Sequence, residues 1–177
     1  AITERDSLPV MTTLGVTTLI SDSGVTRYRV NTEEWMMYDR KKPSYWAFEK
    51  GVYMEQFDSI FNVEASIKAD TAYYYDKERL WKLIGNVDIQ NRKGERFNTE
   101  LLYWNEATQK VYSDKFIRIQ QPDRIITGHG FDSNQQMTIY TIRNIEGIFY
   151  VDEEASSGPP QPETKALPDS VNKDAAK

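Results

Sequence analysis

Apolar and polar positions alternate with a period of two along much of the chain. Phe97, Thr99, Leu101 and Tyr103 fall on one face, with Asn98 and Glu100 on the other. Ile67, Ala69, Thr71 and Tyr73 oppose Lys68, Asp70 and Ala72, and Val87 and Ile89 oppose Asn86, Asp88 and Gln90. Ile117 and Ile119 oppose Phe116 and Arg118, and Met137, Ile139 and Thr141 oppose Thr138 and Tyr140. Successive side chains of a strand point to opposite faces, so this pattern is that of strands with one buried face. Turn signals such as Asp22-Ser23-Gly24, Lys50-Gly51, Arg92-Lys93-Gly94 and Gln121-Pro122-Asp123 recur about every 8–12 residues, the spacing of an all-β sandwich, jelly roll or barrel. Only residues 32–38 and 76–83 could form a helical turn or two, and neither carries a sustained apolar stripe. A soft repeat, a turn glycine followed by a strand ending in Asn-Thr-Glu, occurs at Gly24 to Glu33 and again at Gly94 to Glu100 and reads as stacked hairpins.

The 177 residues suit one domain, and 39% hydrophobic with 28% charged residues can bury a core and stay soluble. All the aromatic residues lie between positions 14 and 151. That stretch is the expected folded unit, with 1–13 a flexible N-terminal segment. Residues 152–177 hold four of the seven prolines and a net charge of −3 out of −5, which predicts a disordered acidic tail. No apolar run approaches the ~18 residues of a membrane span, and residues 1–6 do not resemble a signal peptide. The acidic balance argues against a nucleic-acid partner.

Candidate chemistry is sparse. The absence of cysteine removes disulfides, thiolate metal sites and thiol nucleophiles, and the single histidine, His129, excludes a two-histidine metal site. His129 sits between Gly128 and Gly130 with no serine or acid at a recognisable motif spacing, so it reads as a turn or bulge residue. The carboxylate pairs Glu33-Glu34, Asp76/Glu78 and Asp152 to Glu154 are neighbours along the chain. They do not face each other across a sugar cleft as a glycosidase requires. No phosphate-binding loop, nucleophile elbow, zinc-protease motif or EF-hand loop is present. No cofactor, metal or enzymatic activity is expected. The apolar faces either fill a closed core or line a groove, and composition does not separate the two.

Several segments carry a resemblance. They are Ser66-Ile67-Lys68-Ala69-Asp70-Thr71-Ala72, then Leu83-Ile84-Gly85-Asn86-Val87-Asp88-Ile89, then Tyr112-Ser113-Asp114, then Ile126-Thr127-Gly128-His129-Gly130-Phe131. With Thr18-Leu19-Ile20, Tyr28-Arg29, Phe48 and Gly51-Val52 upstream, they resemble the LptC family of lipopolysaccharide export and the wider OstA-like jelly rolls.

The resemblance implies an open, twisted, boat-shaped antiparallel β-jelly roll with an apolar interior groove for the acyl chains of lipopolysaccharide. It implies a transfer protein that receives lipopolysaccharide from an inner-membrane ABC transporter and passes it to an LptA-like periplasmic bridge. The expected setting is the periplasm, tethered to the inner membrane through a segment outside this sequence. Phe48, three residues before Gly51-Val52, matches a groove aromatic of the family. Phe57, Ile67, Tyr73, Ile84, Phe97, Leu101, Ile117, Ile126 and Ile139 complete the expected groove. Residues 16–30 are expected to face the transporter and residues 137–151 the bridge, with Ile139, Tyr140 and Phe149 on the partner edge. A carbohydrate-active domain or a structural or adhesive β-domain with a dry, closed core is the alternative.

Overall fold

The structure, a computed structural model, describes residues 5–151. Eleven strands follow one another: β1 (Met11–Asp22), β2 (Val25–Tyr38), β3 (Tyr45–Phe48), β4 (Val52–Phe57), β5 (Val63–Ala69), β6 (Thr71–Tyr75), β7 (Leu80–Asn91), β8 (Arg96–Asn105), β9 (Lys110–Gln120), β10 (Arg124–Asn134) and β11 (Tyr140–Tyr150). All pairings are antiparallel and belong to one sheet. β3 and β4 lie end to end against β2, and β6 and β5 lie end to end against β7. The sheet is therefore a meander whose two outer strands, β1 and β11, each pair on one side only among the described residues. It is an open β-jelly roll.

A line of irregularities crosses the sheet and bends it. At this line β5 gives way to β6 at Asp70, whose backbone N–H donates to Gly85 O at 2.9 Å. Gly85 has φ +80°, and a β-carbon there would lie 3.0 Å from Asp70 Oδ2, so glycine is what the bend admits. Asn86, at φ +45°, donates from Nδ2 to Asp70 Oδ2 at 2.7 Å. The pairing register of β7 with β8 shifts between Ile84 and Val87, that of β8 with β9 between Thr99 and Tyr103, and that of β9 with β10 between His129 and Phe131. Side-chain hydroxyls fill the interrupted ladder: Thr99 Oγ1 donates to Phe116 O at 2.7 Å and Ser113 Oγ donates to Leu101 O at 2.6 Å. Aligned bulges of this kind sharpen local twist and turn a sheet back on itself.

The bend divides each long strand into two arms. One arm comprises β3, β6 and residues 80–84, 101–105, 110–113 and 131–134. The other comprises β4, β5 and residues 87–91, 96–99, 116–120 and 124–128. Tyr28 of β2 and Trp104 of β8 are four sheet steps apart, about 19 Å in a flat sheet at ~4.8 Å per step. Their ring centroids are 4.9 Å apart, so the arms face each other. Trp81, Leu83, Leu102, Trp104, Val111 and Phe131 from the first arm meet Met54, Ile67, Ile89, Phe97, Ile117 and Ile119 from the second in one core. Each is at most 9% exposed. Fully burying such a side chain is worth ~1.5–3 kcal/mol, so this layer dominates the stability of the roll.

The bend also corrects the simple alternation. Phe97 and Thr99 point inward, but Leu101 points outward and Leu102 inward, because β8 changes phase where its neighbours carry extra residues. Ala69 and Ala72 both point inward across the Asp70 break, which turns Tyr73 outward with its pairing partner Lys82. Ile84 pairs with Leu101 and shares its outward, half-buried setting. Met137 is buried in a turn, and Ile139 beside it is 76% exposed rather than on the same face. Residues 32–38 are strand, and 76–79 form a turn leading into β7. β1 begins at Met11, inside the segment expected to be flexible. The expected disordered tail, 152–177, lies outside the described residues.

Candidate functional site

The interior between the arms is the largest apolar feature of the roll. Of the ten residues expected to line a groove, Phe48, Ile67, Phe97, Ile117 and Ile126 face this interior and are buried, whereas Phe57 is buried outside this core, stacked on Phe61 and beneath the Arg29 guanidinium. Tyr73, Ile84 and Leu101 are half-buried on the outer face, and Ile139 is exposed in the β10–β11 turn. In this structure the arms touch, and the interior is filled by its own side chains. Phe48 stacks on Trp81 with centroids 5.5 Å apart, and Trp35 stacks on Phe48 at 5.8 Å. The indole N–H groups of Trp35 and Trp104 are buried with no hydrogen-bond partner.

Away from the bend, the strand ends of the two arms form a mouth. Its half nearer β1 is a polar cleft of about 640 Å³, lined by Arg27, Tyr28, Gln56, Asp58, Arg79, Glu106 and Gln135 among others. Burial, reinforced by the Glu106 carboxylate, pushes the Tyr28 phenol up to about 12.

The half of the mouth nearer β11 is closed by a polar cluster that joins the arms. Asn91 Nδ2, from the end of β7, donates to Met137 O at 2.8 Å and to Glu95 Oε1 at 2.9 Å. Tyr140 OH donates to Glu95 Oε2 at 2.5 Å, and Gln121 Nε2 donates to Tyr140 OH at 2.5 Å. Lys93 Nζ reaches Thr138 O at 3.4 Å. Burial alone would raise the Glu95 pKa, but the hydrogen bonds from Tyr140, Asn91 and Gln121 outweigh it and hold the carboxyl below its usual range. The Tyr140 phenol is pushed up to about 12 by burial and by Glu95. Beneath the cluster, the rings of Phe97, Phe131 and Tyr140 pack with centroids 5.1–5.9 Å apart. Periodicity did not reveal this cluster. Its only sequence trace is the Arg92-Lys93-Gly94 turn flanked by Asn91 and Glu95.

The two edges differ in how they are held. β1 exposes Leu14 and Leu19. β11 exposes Ile145, Ile148, Phe149 and Tyr150, and it is fastened to the outer face by charged arms. Arg143 donates from Nη2 to Asp114 Oδ1 at 2.8 Å and to Ser113 O at 2.7 Å, and its Nε lies 3.1 Å from Asp132 Oδ2. Glu146 pairs with His129, so the lone histidine is a cross-strand partner at the β10–β11 bulge. Gly130 leaves room for the Arg143 arm, because a β-carbon there would lie 2.9 Å from Arg143 Nε. Tyr140 and Phe149 lie on β11, with Ile139 just before it.

A depression of about 790 Å³ lies on the outer face at the bend. Its bases Lys68, Lys115 and Arg118 are matched by the acids Asp70, Asp88 and Glu100, and Asp88 is engaged by the Arg96 guanidinium. No group of His, Asp and Glu side chains among the described residues could hold a metal ion. No described helix is long and apolar enough to cross a membrane. A protein-family model described as lipopolysaccharide-assembly, LptC-related, matches residues 12–149. No curated protein matches the chain.

Proposed function

The chain belongs to the LptC-related family of lipopolysaccharide assembly, and we propose that it is a transfer protein that holds lipopolysaccharide acyl chains between the two arms of its roll. The observation that carries this reading is an apolar interior enclosed by a sheet that remains open at both edges. Exposing acyl chains to water costs ~0.8 kcal/mol per CH₂, so a carrier needs an apolar interior and no catalytic group. Unpaired edges offer free N–H and C=O groups to a neighbouring sheet, the geometry of strand addition. On this reading β1 faces an inner-membrane ABC transporter, and β11 hands the lipid to an LptA-like jelly roll in the periplasm. Tethering to the inner membrane belongs to the same proposal.

The arms touch here, so loading requires them to part. A purely structural β-domain would show the same filled interior, and the family and the two free edges favour transfer. Photo-crosslinking in cells separates the readings. Crosslinkers at Phe48, Phe97 and Ile117 are expected to form lipopolysaccharide adducts, whereas one at Tyr103, on the outer face, is not. Absence of adducts at all three inward positions refutes the transfer reading.

A further inference from the structure

The turn between β10 and β11 is held largely by its own hydrogen bonds, with one backbone bond, from Gln135 N–H to Gln109 O at 3.1 Å, to the neighbouring turn of its own arm. Asn134 Oδ1 accepts from the backbone N–H of Thr138 at 2.9 Å and of Ile139 at 3.1 Å, and Asn134 O accepts from Met137 N at 3.1 Å. These bonds stay within the turn. What ties it to the opposite arm is a short set: Asn91 to Met137 O, Lys93 to Thr138 O, the Tyr140–Glu95 pair and Gln121 to Tyr140 OH.

Met137 is the unusual residue of that turn. Among the described residues six non-glycine residues hold a positive φ, and of these Met137, at +58°, is the one that is buried, at 1% exposure. A side chain with a β-carbon is disfavoured in that backbone region, so its burial in the core has to offset the conformation. Methionine is flexible and fills irregular gaps, which suits a stopper better than a permanent core residue. Tyr140, which anchors the cluster, is also the first residue of the free edge strand.

We propose that residues 134–140 form a gate in the mouth of the roll. Met137 is the plug, and Asn91, Glu95 and Tyr140 are the latch. Breaking the latch bonds swings the turn outward as a unit, with its internal hydrogen bonds intact, and admits an acyl chain against Phe97 and Phe131. A strand added to β11 acts on the same element, so docking of the next jelly roll and opening of the gate are coupled. The cargo in this inference rests on the lipid-carrier reading above.

The test uses the full chain, which has no cysteine, so introduced thiols are unambiguous. Tyr140→Phe keeps the ring and removes the latch hydroxyl, and Met137→Ala removes the plug. Lys93→Cys with Thr138→Cys, joined by a short bifunctional thiol reagent, locks the turn to the other arm. Amide exchange at 135–138 and uptake of a fluorescent long-chain fatty acid are measured on each. Tyr140→Phe is expected to raise exchange at 135–138 about tenfold while the central strands β7 and β8 stay protected, and to speed uptake. Met137→Ala is expected to speed uptake too. The locked chain is expected to lose uptake, whereas the single-cysteine chains treated with the same reagent retain it. Uptake that the lock leaves unchanged overturns the gate while leaving the carrier reading intact. Equal rises in exchange over the whole sheet also overturn the gate, since they mark general loosening. No uptake by the unmodified chain overturns the carrier reading and the gate's cargo with it.

Discussion

Phe48 and Leu101 show what one residue's facing decides. Both are apolar and both fit a groove by resemblance or alternation, yet Phe48 is 2% exposed between Trp35 and Trp81, while Leu101 sits half-buried on the outer face. A carboxylate at position 48 removes the ring's packing and buries a charge with no partner. Phe48→Asp is therefore expected to lose at least ~3 kcal/mol and its cooperative melting. Leu101→Asp is expected to keep the fold within about 1 kcal/mol, because its side chain can reach water. Denaturant melts of both variants check this. If Phe48→Asp keeps a native melt and loses only lipopolysaccharide binding, the arms are open in solution and Phe48 lines a trough.

The element that most needs explanation is β11, an edge strand with several exposed apolar side chains. Such an edge invites unwanted pairing unless it is held in a defined shape. Here Arg143 reaches across β10 to Asp114, to Ser113 O and to Asp132, and Glu146 meets His129. Single exposed ion pairs contribute little, but one guanidinium serving three oxygens on two strands restrains the strand's position. Close approach reinforces it: a β-carbon on Gly128 would come 2.4 Å from Asn144 O. Arg143→Ala is expected to speed amide exchange along β11 about tenfold, roughly 1.4 kcal/mol of local stability, with β7 and β8 unchanged. Unchanged exchange in β11 shows that pairing to β10 alone holds the edge.

At the scale of the molecule, one sheet with two unpaired edges among the described residues suits the proposed role of a link in a chain. The core lies between arms that a lipid would have to part on the carrier reading, and the edges lie at opposite ends of the strand order. Partners can then occupy both ends without competing for the interior. Mixing the protein with an LptA-like jelly roll is expected to slow amide exchange in β11 and to leave β1 exchanging as before. Protection that appears on β1 instead reverses the proposed direction of transfer.

Period-two alternation, closely spaced turns and the concentration of aromatics between residues 14 and 151 were enough to establish an all-β roll, because local backbone preference and one-sided burial act on neighbours along the chain. The order and spacing of short motifs were enough for the family. Five of the ten positions expected to line a groove lie in the buried core, where the alternation puts them. The other five depended on the irregularity at the end of β4, on Asp70, on the bulges around β8 and on the β10–β11 turn, where one residue more or less inverts every side chain that follows. Those bulges arise from Gly85 fitting against Asp70 and from hydroxyls bridging β8 and β9, contacts between residues distant in sequence. The closure of the mouth is likewise tertiary. Asn91 and Met137 are 46 residues apart, and only the meeting of the two arms brings the amide of one to the carbonyl of the other.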